Sequence, residues 1–112
     1  MLALEHLIIC SHEDFSDWST LVAGFNDQKQ LVFQLKYTND NTPKLNHTNI
    51  AYLNQEEAFS LAQKLHVPLI ELPQAFYKKF GSDSFCYPSD VEQVFSGILR
   101  YIVSQQISYH LR

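Results

Sequence analysis

Val67-Pro68-Leu69-Ile70-Glu71-Leu72-Pro73 decides how the rest of the chain is read. It is a short apolar run between two segments with helical character. The preceding segment opens at Asn54, where Asn54 and Glu57 have capping-box spacing. Ala58, Leu61, Ala62 and Leu65 then recur at the 3.6-residue period, and the pattern ends at His66. An apolar run closed by a proline predicts a strand over Val67–Glu71, entered from one helix and left into the next. That is βα-type organisation.

Working outward, Leu31, Phe33, Leu35 and Tyr37 alternate with Val32, Gln34 and Lys36, the pattern of a half-buried strand. Asn49–Leu53 reads as a short strand feeding the Asn54 helix, and Ser19–Gly24 as another. Asn26-Asp27 supplies turn chemistry between the Ser19 and Leu31 strands. The Asn-rich stretch Thr38–Thr48 is a connecting loop, while Leu2–Ser11 is compatible with a strand or a short helix. His12–Ser19 is polar, with Trp18 expected to anchor its end in the core. Towards the C-terminus, Gln74–Phe80 reads as a short helix stopped by Gly81. Pro88 precedes a long helix in which Ser89 and Glu92 have capping-box spacing. Val91, Val94, Phe95, Ile98, Leu99, Ile102 and Val103 trace one apolar face of it. The fold class expected is α/β: a small central mixed β-sheet of about four strands packed by helices, with a long C-terminal amphipathic helix.

The 112 residues are one domain's length and suffice for a core without disulfides or metal. A net charge of −4 with only 8 scattered basic residues excludes a non-specific nucleic-acid binder, because phosphate contacts need clustered cations. Lys78-Lys79 is the sole adjacent basic pair. Cys10 and Cys86 have neither metal nor redox spacing and suit reduced thiols in a cytoplasmic setting. Leu2–Cys10 is interrupted by Glu5 and His6, too short to span a bilayer, and lacks the basic start of a signal peptide.

The chemistry-bearing residues do not converge on a reaction. His6, His12, His47, His66 and His110 are dispersed, with no pair at helix or hairpin ligand spacing. His66 suits a helix C-terminus, where its charge meets the dipole. Glu56 and Glu57 suit a first helical turn for the same reason. Cys86 lies between two aromatics, as a structural thiol would, and no phosphate loop or hydrolase motif occurs. Neither a metal nor a cofactor is expected. Phe76, Tyr77 and Phe80 either fill the core or present an aromatic edge for docking. Tyr101 faces away from the apolar stripe of the last helix.

Taken in order, Leu31–Tyr37, Asn49–Leu53, the Glu56–Leu65 helix, Val67–Glu71, the aromatic helix after Pro73 and the Val91–Val103 helix resemble a known family. The chain is similar to the cytoplasmic C-terminal domain of the flagellar export-switch protein and its type III secretion counterparts. The resemblance covers about residues 21–103, leaving 1–20 as an N-terminal extension. It implies a cytoplasmic, protein-binding role, with export-apparatus components or secreted substrates as partners. The family's Asn-Pro-Thr-His self-cleavage motif falls on Asp27, Gln28, Lys29 and Gln30, none of which matches it. Without the asparagine amide nucleophile and the proline, self-cleavage is not expected.

The contact surface expected is Phe76, Tyr77, Lys78 and Lys79, with Tyr101 and the Ser82–Cys86 loop beside it. Two other readings stay open: a small enzyme or ligand-binding domain with a site near Cys10, His12 and Asp14, and a structural subunit dimerising through the last helix.

Overall fold

The computed structural model describes residues 2–11, 16–82 and 87–112. Along the chain run strands β1 (Ala3–Cys10), β2 (Asp17–Phe25), β3 (Leu31–Asn39) and β4 (His47–Leu53). Helices α1 (Gln55–Leu65), α2 (Leu72–Phe80) and α3 (Pro88–Ser104) follow, then a two-residue strand β5 (His110–Leu111). Short 3-10 turns occupy Pro43–Leu45 and Leu69–Glu71. The strands form one sheet in the order β1-β2-β3-β4-β5. The fold is therefore α/β, a central sheet packed by helices with a long C-terminal helix.

All four strand pairings are antiparallel, so the sheet is not mixed. Strands and helices segregate instead of alternating. The reason lies in Val67–Pro73 and the helix end before it. Asn54 caps α1 as expected: its Oδ1 accepts from the Glu57 amide at 2.8 Å, and the Glu57 carboxylate accepts from the Asn54 amide at 2.9 Å. The other end of α1 carries a Schellman closure. His66 takes the left-handed conformation (φ 58°, ψ 41°), its amide donates to Gln63 O, and the Val67 amide donates to Ala62 O at 3.1 Å. Val67 is thus part of a helix cap. Pro68 cannot prolong the helix, Leu69–Glu71 makes a 3-10 turn, and Pro73 sits in the first turn of α2, where its missing N–H costs nothing. The expected Val67–Glu71 strand is a helix-to-helix turn, and one element carrying the family resemblance is absent from the sheet.

Residues 1–20 are also more than an extension, since β1 and the start of β2 fall within them. Leu21 pairs with Leu35, Ala23 with Phe33 and Phe25 with Leu31; on the far side of β3, Leu31 meets Leu53 and Phe33 meets Ala51. These side chains share one face. They are buried with Ala58, Leu61, Ala62, Leu72, Phe76, Val91, Phe95, Ile98 and Ile102 from the helices. The alternate residues Thr20, Val22, Gln34, Lys36 and Ile50 lie on the opposite face, half-buried or exposed. Trp18, on that same alternation, is half-buried rather than anchored in the core.

β1 is an irregular edge strand. Its register against β2 shifts between Ala3 and His6 and again between Leu7 and Ile9, and Leu4 has φ 54°. Bulges of this kind discourage pairing with a further strand. Gly24 makes the first bulge feasible. A Cβ there would lie 2.8 Å from Leu2 Cβ, 3.0 Å from Ala3 O and 3.1 Å from Glu5 Cα.

α3 starts two residues before the Ser89/Glu92 spacing suggests. The Tyr87 amide donates to Asp90 Oδ2 at 2.8 Å, and Pro88 occupies the first helical position. Pro88 fixes φ at a helical value, which favours starting there over the serine cap. Gly81 ends α2 with φ −69°, so the stop needs no left-handed residue. The apolar stripe of α3 is spent on the sheet, with Val91, Phe95, Ile98 and Ile102 buried, so a dimer through the last helix has to use its other face.

Candidate protein-docking surface

α2 leans on β1, where the His6 and Tyr77 rings meet edge to face at 4.5 Å. The helix is amphipathic by simple spacing. Leu72, Pro73 and Phe76 are buried, Tyr77 and Phe80 half-buried, and Gln74, Lys78 and Lys79 exposed. Phe76 is 1% exposed. Its ring lies edge-on to Phe33 at 4.8 Å and to Tyr101 at 6.1 Å, and stacks with Phe80 at 6.0 Å. Phe76 is therefore a core residue and cannot be part of a contact surface. The i, i+4 spacing of Leu72 and Phe76 carries this signal, which the density of aromatics between residues 76 and 80 obscures.

Lys79 and Tyr101 do come together at one corner of the molecule. Tyr101, half-buried on α3, meets Phe80 edge to face at 5.7 Å. The Lys79 ammonium sits 4.6 Å from the Tyr101 ring centroid and 5.9 Å from that of Phe80. A cation over an aromatic face is held there electrostatically, which lowers the entropy lost when the same group meets a partner. Lys78 stands exposed one position earlier. The result is a cationic, aromatic-backed ridge on a chain of net charge −4. Tyr77 faces β1 rather than this ridge. Of the Ser82–Cys86 loop, Ser82 is exposed and 83–86 lie outside the described residues.

Asp27, Gln28, Lys29 and Gln30 form the β2–β3 hairpin turn. Lys29 has φ 60°. Asn26 Oδ1 accepts from the Gln28 and Gln30 amides at 3.0 and 2.9 Å, while its Nδ2 donates to Gln30 Oε1 at 2.8 Å. The asparagine side chain closes the turn, a structural use that occupies its carbonyl and amide.

Cys10, at the end of β1 opposite Thr20, is exposed. His12 and Asp14, the other members of the ligand-site reading, lie outside the described residues. Among the described residues no three His, Cys, Asp or Glu side chains converge as a metal site, and no helix is long and apolar enough to cross a membrane.

One cluster escapes sequence reasoning altogether. The C-terminal residues return to the free side of β4, pairing Leu111 with Ala51 and His110 with Tyr52. His110 Nε2 lies 2.9 and 3.2 Å from the two Glu57 carboxylate oxygens, and its ring stacks on Tyr52 at 5.1 Å. Arg112 lies over the same tyrosine at 5.0 Å and donates to Gln30 Oε1. Glu57 thus caps α1 and holds the chain end. A two-residue strand has no periodicity to detect.

Comparison with family models, with curated proteins and with solved structures gives no match.

Proposed function

We propose that this chain is a non-catalytic, cytoplasmic protein-binding domain that docks an acidic segment of a partner protein on the Lys78–Lys79–Tyr101 corner. The observation that carries the reading is the Lys79 ammonium held 4.6 Å from the Tyr101 ring, with Lys78 exposed beside it. A pre-positioned cation next to an aromatic rim recognises carboxylates and apolar side chains together, and complementary charge speeds encounter with an acidic partner. The export context rests on the likeness of the remaining elements to the export-switch domain: the Leu31–Tyr37 strand, the capped helix, the aromatic helix and the long last helix. In that context the partners are export-apparatus components or secreted substrates, and a turn without the cleavage motif makes the domain a non-cleaving relative.

The test is a tagged pulldown from the native cell with quantitative mass spectrometry, comparing the natural chain with Lys78→Glu/Lys79→Glu. Both lysines are exposed but lie in the last turn of α2, so circular dichroism of the variant checks that the fold is kept. Loss of a reproducible set of partners in the variant supports the corner as the docking surface, and export components in that set support the context. An unchanged partner set sinks the assignment of the surface.

A further inference from the structure

A second surface lies on the solvent side of α3, independent of the α2 corner. Three shallow depressions of 550, 350 and 420 Å³ run along it and share walls. Ser96 and Arg100 border the first two, and Val103 and Tyr109 the second and third, so they form one continuous groove. At about 100° per residue, Glu92, Ser96, Leu99, Arg100 and Val103 fall on one stripe centred on Ser96. Val103 is 56% exposed and Leu99 is half-buried, an apolar rim left open among the described residues.

The charges on the stripe have a particular symmetry. Glu92 and Arg100 stand four residues either side of Ser96, both exposed, and among the described residues neither has an ion-pair partner. A twofold axis at Ser96 exchanges positions equidistant from it. It therefore brings Glu92 of one copy to the same level as Arg100 of another, twice, with two small serines at the crossing where the helices approach closest.

We propose that the occupant of this groove is a second copy of this chain, its α3 crossing the first in antiparallel sense with reciprocal Glu92–Arg100 pairs. The interface is isologous, as a closed twofold dimer requires. Leu99, Val103 and Tyr109 supply the apolar contact, and the charge pairs set register and direction. Exposed ion pairs contribute little affinity by themselves. Reversing one charge, however, turns both attractions into repulsions, whereas reversing both restores them.

The experiment is sedimentation equilibrium of the full chain from micromolar to millimolar concentration, with helicity of each variant checked by circular dichroism. The natural chain is expected to show a concentration-dependent monomer–dimer equilibrium that weakens with salt. Glu92→Arg and Arg100→Glu, each alone, are expected to weaken it by about tenfold or more. An equimolar mixture of the two single variants regains dimer mass, because each supplies the charges the other lacks, and the double variant dimerises with itself. A natural chain that stays monomeric throughout overturns the proposal. So do single variants that associate like the natural chain, or a mixture no heavier than its components.

Discussion

Replacing Phe76 by alanine separates a core residue from a docking residue at the position where the two readings diverge. The ring is 1% exposed, lies on Phe33 at 4.8 Å and is flanked by Phe80 and Tyr101. Deleting a fully buried phenylalanine costs about 3–5 kcal/mol in lost transfer free energy and residual cavity. Edge-to-face partners each add about 0.5–1.5 kcal/mol beyond the area buried, which places this site in the upper part of that range. A domain of this size has about 5–15 kcal/mol to lose, so the variant folds with a small reserve. At about 4 °C per kcal/mol, Tm falls by roughly 15 °C. The assay is urea denaturation followed both by circular dichroism and by Trp18 fluorescence, with Lys78→Ala as an exposed control expected within about 0.5 kcal/mol of the natural chain. A double-mutant cycle with Phe33→Ala adds the coupling: two rings in contact lose less together than the sum of their separate losses. A Phe76→Ala loss below about 1 kcal/mol, with an unchanged denaturant slope, would refute the placement of this ring in the core.

Gly24→Ala is expected to destabilise by about 1–3 kcal/mol, since two of the three atoms nearest the new methyl are backbone and cannot swing away; an unchanged urea midpoint would contradict the close approach of β1. His66→Gly is expected to stabilise by about 1 kcal/mol. The position is exposed and left-handed, so relief of the conformational cost of an L-residue there outweighs the extra chain entropy of glycine. A fall in Tm for that variant would show that the imidazole contributes something the αL geometry does not reveal.

Much of the fold was legible because it rests on local rules. The alternation in Leu31–Tyr37, the Asn54–Glu57 box, the aromatic helix and the apolar stripe of the last helix each correspond to an element of the right type. Val67–Glu71 is the exception, a turn where a strand is expected. Val67–Glu71 is apolar because Val67 and Leu69 pack on the core from a turn, and the composition of such a turn matches that of a short buried strand. Burial distinguishes them, since Ile70 is 65% exposed while Leu72 is fully buried. The left-handed closure at His66 carries no glycine to announce it. Once that segment leaves the sheet, the first 20 residues have to supply the missing strand, and the sheet becomes an antiparallel meander.

The docking residues were legible only in part, for a reason that also governs the proposed surfaces. Sequence spacing locates side chains on the face of one helix, but whether that face is free depends on what the next element does with it. Phe76 lost its role because α2 settles on β1 and sets that ring against Phe33 of β3; Tyr101, packed with Phe76, Phe80 and Lys79, keeps a share of exposure. The same logic applies to α3, whose strongest periodic signal, Val91 to Ile102, is consumed internally, leaving the weaker stripe through Ser96 to meet solvent. A contact surface is therefore to be sought in the second-best pattern of an amphipathic helix, after the best has been assigned to the core. In this chain that pattern carries Glu92 and Arg100 four residues either side of Ser96, the spacing on which the proposed twofold pairing rests.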